Sequence, residues 1–110
     1  MYRLFDPHIV YDVIDRRWVG CINGIISSNG HIGTAIVVST SPDPTGNWYS
    51  FYFDAGSYCL NSTDFVDYPL LGYNKKWITI TDNIFGNTVY GATFVLDKSA
   101  LYTGQSRVAI

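Results

Sequence analysis

Five residues, Asp15-Arg16-Arg17-Trp18-Val19, return 59 positions later as Asn74-Lys75-Lys76-Trp77-Ile78, and Ala35-Ile36-Val37-Val38 returns 58 positions later as Thr93-Phe94-Val95-Leu96. The same register carries Ser41, Thr45 and Gly46 onto Ser99, Thr103 and Gly104. The chain, 110 residues long, is therefore read as two copies of one unit, and whatever fold it takes must use that unit twice.

The unit is built for strands. All nine acidic residues are aspartates, glutamate is absent, other helix formers are sparse, and Val, Ile, Thr, Tyr, Phe and Trp abound. In the first copy strands are predicted near Ile9 to Val13, Arg17 to Ile22, Thr34 to Thr40 and Trp48 to Phe53; in the second, near Leu70 to Tyr73, Trp77 to Asp82, Ala92 to Leu96 and Arg107 to Ile110. Tight turns are expected at Asp15-Arg16, at Asn74-Lys75 and over 85–88, with loops at Ser27 to Gly30 and Asn61 to Thr63. A repeat of about 50 to 60 residues holding four short strands is the sequence form of a β-propeller blade. The expected fold is all-β: one β domain over 1–110, with a first four-stranded antiparallel blade at about 7–54 and a second at about 67–110.

Between the third and fourth strands stands Ser41-Pro42-Asp43-Pro44-Thr45-Gly46-Asn47-Trp48. Two prolines and a glycine end the ladder of the preceding strand, Ser41 and Asp43 can accept from turn N–H groups, and Trp48 can fold back as an apolar plug. The spacing of Ser41, Asp43, Gly46 and Trp48 resembles the Asp-box turn of sialidase-type propellers, although Gly46 follows Asp43 by three positions where that pattern has two. A structural turn is the expected role. Trp18 and Trp77, which repeat at one place in the unit, are expected in the blade cores.

Asp6-Pro7, Val10-Tyr11-Asp12, Arg17-Trp18, the octet with Tyr49, Asp67 to Gly72 and Val95 to Lys98 together resemble a propeller repeat of large secreted bacterial proteins. The resemblance covers almost the whole chain. It implies an extracellular setting within a longer protein and supplies no catalytic residues. Two blades would leave two open apolar faces, so the resemblance further implies a partial propeller whose ring is closed by homo-oligomerisation or by a longer parent chain. Residues 2–5 could pair as an extra strand on a neighbouring blade or on the chain's own last blade.

Other chemistry is thin. The basic residues are scattered and the net charge is −2, which excludes a phosphate-tracking stripe and with it nucleic acid. No apolar run reaches the roughly 18 residues of a membrane span, and Met1 to Asp6 carries no apolar signal core. The pairs Asp12 with Asp15 and Asp64 with Asp67 match no calcium loop, and His8 and His31 lack zinc-spaced partners, so no metal and no cofactor are expected. Cys21 and Cys59 fit one disulfide or two buried thiols equally.

A glycosidase needs two carboxylates about 5 to 10 Å apart, and a sialidase-like site would add an arginine cluster and a tyrosine paired with a glutamate that this chain does not have. The expected function is a non-catalytic scaffold or recognition module, binding carbohydrate or protein. A glycan-binding or sialidase-like hydrolase propeller is the alternative. A stand-alone barrel or sandwich with a small ligand would require the repeat to be coincidental.

Overall fold

The computed structural model describes residues 3–25, 32–55, 65–105 and 108–109. Strands β1 (Arg3–Asp12), β2 (Arg17–Ile25), β3 (Ile32–Ser39) and β4 (Trp48–Phe53) form one antiparallel sheet in sequence order. A second antiparallel sheet consists of β5 (Phe65–Tyr73), β6 (Trp77–Phe85) and β7 (Tyr90–Asp97), edged by the two-residue β8 (Val108–Ala109). One helical turn, α1 (Lys98–Tyr102), follows β7. The chain is all-β, as its composition predicts.

The repeat is visible in the hydrogen-bond register. Val19 pairs with Val38 and Cys21 with Ile36 in the first sheet; Ile78 pairs with Leu96 and Ile80 with Phe94 in the second. Those are the same pairs displaced by the 59 and 58 positions read from the sequence. Both copies also carry a bulge in the first strand of the unit, between Phe5 and His8 and between Asp67 and Leu70. Each bulge holds an X-Pro dipeptide, Asp6-Pro7 and Tyr68-Pro69, with positive φ (54° and 60°) at the residue before proline. Proline cannot donate to a ladder, so a bulge on an outer strand is where it fits.

Side chains alternate across each strand. In β2 the inward residues are Val19, Cys21 and Asn23, and in β6 they are Ile78, Ile80 and Asp82, at the equivalent places. Val19, Cys21, Ile78 and Ile80, together with Ile36, Val38 and Phe53 from one sheet and Phe94 and Leu96 from the other, form one buried cluster. Phe53 and Phe94 meet across it with ring centroids 5.2 Å apart. The two sheets thus bury the same face of the repeat, each against the other.

Three sequence expectations are corrected. Trp18 and Trp77 occupy equivalent positions but are half-buried, on the side turned away from the shared core. Strict alternation dictates this, because Val19 and Ile78 next to them point inward. Residues 3–5 do not reach another blade; they extend β1 and pair with Asn23 to Ile25 of β2. The stretch between the predicted strands at Ala92 to Leu96 and Arg107 to Ile110, where no helix is predicted, contains α1. Asp97 caps it by accepting from the Ala100 N–H at 3.1 Å. It ends in a Schellman motif: Gly104 N–H donates to Leu101 O, Gln105 N–H to Ala100 O, and Gly104 has φ +84°. The equivalent octet stays non-helical because Pro42 and Pro44 occupy positions where α1 has Ala100 and Tyr102.

Cys59, His31, Asp64, the sequon at 61–63, the loop at 27–30 and the ends of the predicted last strand, Arg107 and Ile110, lie outside the described residues.

Candidate functional site

Three places on this scaffold concentrate polar or exposed apolar groups. At the centre of the core, Thr34 Oγ1 donates to Asn23 Oδ1 at 2.8 Å, and Asn23 Nδ2 donates to Asp82 Oδ1 at 3.0 Å. All three residues are fully buried. Burial pushes the Asp82 carboxyl up to about 6, against the opposing pull of the Asn23 bond and with the charge of Asp67 adding to the rise. Asp82 Oδ2 has no hydrogen-bond partner among the described residues. Cys21, a free and buried thiol, is pushed up to about 12 by burial and by Asp82. A thiol so hard to ionise is no nucleophile.

The second place joins the sheets at one end. Lys98, 2 % exposed, reaches from α1 to Asp12 at the end of β1 and to Asp15 in the following turn. Its Nζ also donates to Asn74 O at 2.8 Å. The Tyr102 hydroxyl donates to Asp12 Oδ2 at 2.7 Å, while Asp12 Oδ1 accepts from the N–H groups of Ile14 (2.9 Å) and Asp15 (3.3 Å). Burial alone would raise the Asp12 carboxyl, but the bonds from Lys98, Tyr102 and the turn outweigh it and hold the group below its usual range. Burial likewise disfavours the Lys98 ammonium, and the two aspartates reverse that and raise it. Asp12 and Asp15, weighed from sequence as a calcium pair, are instead occupied by an internal cation. Among the described residues no cluster of three or more His, Cys, Asp or Glu side chains is placed to hold a metal.

The octet between β3 and β4 meets its own polar groups. Ser41 Oγ accepts from Asp43 N at 3.2 Å, Asp43 Oδ1 accepts from the Thr45 N–H and hydroxyl at 2.9 and 2.7 Å, and Gly46 N–H donates to Asp43 O at 3.2 Å. The Trp48 indole N–H donates to Pro44 O at 3.0 Å, and that of Trp18 to Pro42 O at 3.1 Å. Ser39, fully buried, ties the turn to β2 by accepting from Trp18 N–H and donating to Ser41 O.

These bonds fix an aromatic row on the outer face of the first sheet. Tyr11 pairs with Trp18, their rings 4.9 Å apart, and Ser39 pairs with Trp48 one strand further on. Next to the row lies an apolar groove of about 400 Å³, lined by Pro7, Ile9, Gly20, Ile22, Ala35 and Val37. Gly20 forms its floor: a Cβ there would come within 3.1 Å of Val37 Cγ2. Ile9 is 59 % exposed and Tyr52 48 %. On the outer face of the second sheet Gly20, Ile22, Gly24 and Ala35 correspond to Thr79, Thr81, Asn83 and Thr93, with Thr81 and Thr93 sharing a hydrogen bond of 3.0 Å, while Val37 corresponds to Val95 and the exposed Leu70 and Phe85 lie on the same face.

The octet and the repetition of Trp18 and Trp77 were legible in the sequence, whereas the outward side of those tryptophans, the Asp12–Lys98 contact and the groove were not. The groove could have been found from alternation, since Gly20, Ile22, Ala35 and Val37 are the apolar residues left over once Val19, Cys21, Ile36 and Val38 are assigned inward. In comparison with known proteins, the chain matches no family model, no curated protein and no solved structure.

Proposed function

We propose that the chain is a non-catalytic scaffold and recognition module that associates through the outer face of its first sheet, with a second copy of the chain as its partner. The observation carrying this reading is the contrast between the outer faces of two sheets built from one repeat. One sets Thr79, Thr81, Asn83 and Thr93 among separate apolar residues, Leu70, Trp77, Phe85 and Val95; the other forms an aliphatic groove beside an aromatic row. A contiguous apolar groove, rather than single exposed apolar residues, marks a contact surface.

Geometry also bears on how the repeat is used. In a propeller the front of each blade meets the back of the next, so equivalent residues of neighbouring blades belong to opposite walls. Here Asn23 and Asp82, equivalent by the 59-residue offset, bond to one another. That favours a closed two-layer unit over two successive positions in a ring. Association then needs only the one open outer face. The resemblance to repeats of secreted bacterial proteins makes an extracellular setting part of the same reading.

A carbohydrate ligand is less well served. Sugars need polar partners beside a stacking ring, and the indole N–H groups of Trp18 and Trp48 already donate to carbonyls of the chain. A cysteine scan separates the faces. Val37→Cys should form an inter-chain disulfide under mild oxidation, and Thr81→Cys, on the other outer face, should not. Equal cross-linking at both positions, or at neither, would overturn the proposal.

A further inference from the structure

The contact between Lys98 and Asp12 is arranged for more than an ion pair. Nζ of Lys98 lies 2.5 Å from Asp12 Oδ2, with both side chains almost wholly excluded from water, and 2.7 Å from Oδ2 of Asp15, whose side chain is 47 % exposed. The Tyr73 and Tyr102 rings stand 5.7 and 5.6 Å from the same nitrogen. The two oxygens of Asp12 are held differently. Oδ1 receives two backbone N–H groups, from Ile14 and Asp15, while Oδ2 receives the Tyr102 hydroxyl and faces the amine.

We propose that Lys98 and Asp12 condense into an intramolecular amide that ties the end of β1 in the first sheet to α1 beyond the second. The paired N–H groups on Oδ1 form an oxyanion hole for the oxygen that remains, and Oδ2 is the oxygen that leaves. Lys98 first passes a proton across the contact to Oδ2 of Asp12, leaving a neutral amine beside a neutral carboxyl. The freed amine attacks Cγ of Asp12, the C–N bond forms as the C–Oδ2 bond breaks, and Oδ2 leaves as hydroxide. Asp15 Oδ2, 2.7 Å from the nitrogen, takes its second proton and delivers it to the hydroxide, so that one water is released. An ammonium and a carboxylate become an amide and a water, so no oxidant, reductant or other reactant is required.

Two physical terms favour the step. Holding the reacting groups in contact gives well-oriented intramolecular reactions effective molarities of about 10⁵ to 10⁸ M, which offsets the competition from bulk water. A buried ion pair also carries the desolvation cost of both charges, and the amide removes both. The opposing term is the stability of the pair itself, since the cluster holds Asp12 ionised and Lys98 protonated. The product is therefore reached slowly, after folding.

Intact-mass measurement of the denatured full chain tests this directly. The folded protein, after incubation, should be one water lighter than its sequence, and a digest should yield a branched peptide joining Asp12 to Lys98. Asp12→Asn should lose one ammonia in place of the water, because the leaving group is then the amide nitrogen. Lys98→Arg should stay at full mass. Wild-type chain remaining at full mass, with the Lys98 amine still open to an acylating reagent after denaturation, would overturn the proposal. So would a water loss that persists in Lys98→Arg, which would trace the dehydration to another aspartate.

Discussion

Asn23 and Asp82 hold the same position in two copies of one repeat, and they donate to and accept from each other across the middle of the core at 3.0 Å. Contact between equivalent residues is the mark of isologous packing, in which a surface meets its own counterpart. The relationship therefore explains why both sheets bury the Val19/Ile78 face. It also puts an ionisable group where water does not reach, with one carboxylate oxygen unpartnered among the described residues.

That group makes stability depend on pH. Asp82 is pushed up to about 6, while an unfolded aspartate keeps its ordinary 3.8, so between those values the folded chain binds more protons than the unfolded one. Stability should be highest near pH 4, fall as the pH rises through 6 and level off above it, by about 3 kcal/mol in all. Asp67, raised by burial and by Asp6, acts in the same direction. Asp12, held low, acts in the opposite one only as the pH drops below 3.8. Urea midpoints at pH 4, 6 and 8 should show the fall in wild type and a much flatter profile in Asp82→Asn, with the variant more stable at pH 8.

Two glycines at one register position should respond differently. A Cβ on Gly104 would need φ +84° and would sit 3.1 Å from Tyr49 Cε1, so Gly104→Ala should lose about 1 to 2 kcal/mol. Gly46 lacks the positive φ and has its nearest neighbour, Asp43 O, at 3.4 Å. Gly46→Ala should stay within about 0.5 kcal/mol of wild type. Thermal melts of the two variants check the pair.

Neighbouring residues of β6 give a direct reading of which side is core. Ile78→Ala opens a cavity in the shared cluster and should cost about 2 to 5 kcal/mol. Trp77 is half-buried on the other side, against Lys76 at 5.1 Å, and Trp77→Ala should cost nearer 1 kcal/mol. Denaturant midpoints decide. A loss of more than about 3 kcal/mol at Trp77 would place it in a core.

Much of the fold could be read from the residues. The strand between Trp48 and Phe53 runs where it was predicted, and the 59 and 58 offsets reappear as hydrogen-bond register. Less readable was which face of the repeat would be covered. Both Val19 and Trp18 are apolar, and only the partner sheet decides which points inward. The helix α1 was hidden by the repeat itself, because its equivalent in the first copy contains two prolines and the second contains none. Asp97 before Ala100 and Leu101 was the available signal for its start. The Lys98 cluster drew no attention because its members lie far apart in sequence, with Asp12 and Tyr102 separated by 90 positions.

Association through the outer face of the first sheet is read most directly from the solution mass of the purified chain, by light scattering on a sizing column. Wild type should be a discrete dimer and Val37→Asp a folded monomer, because the new charge would enter the groove between Gly20 and Ala35. A wild-type chain that stays monomeric at every concentration, or a dimer untouched by Val37→Asp, would contradict it.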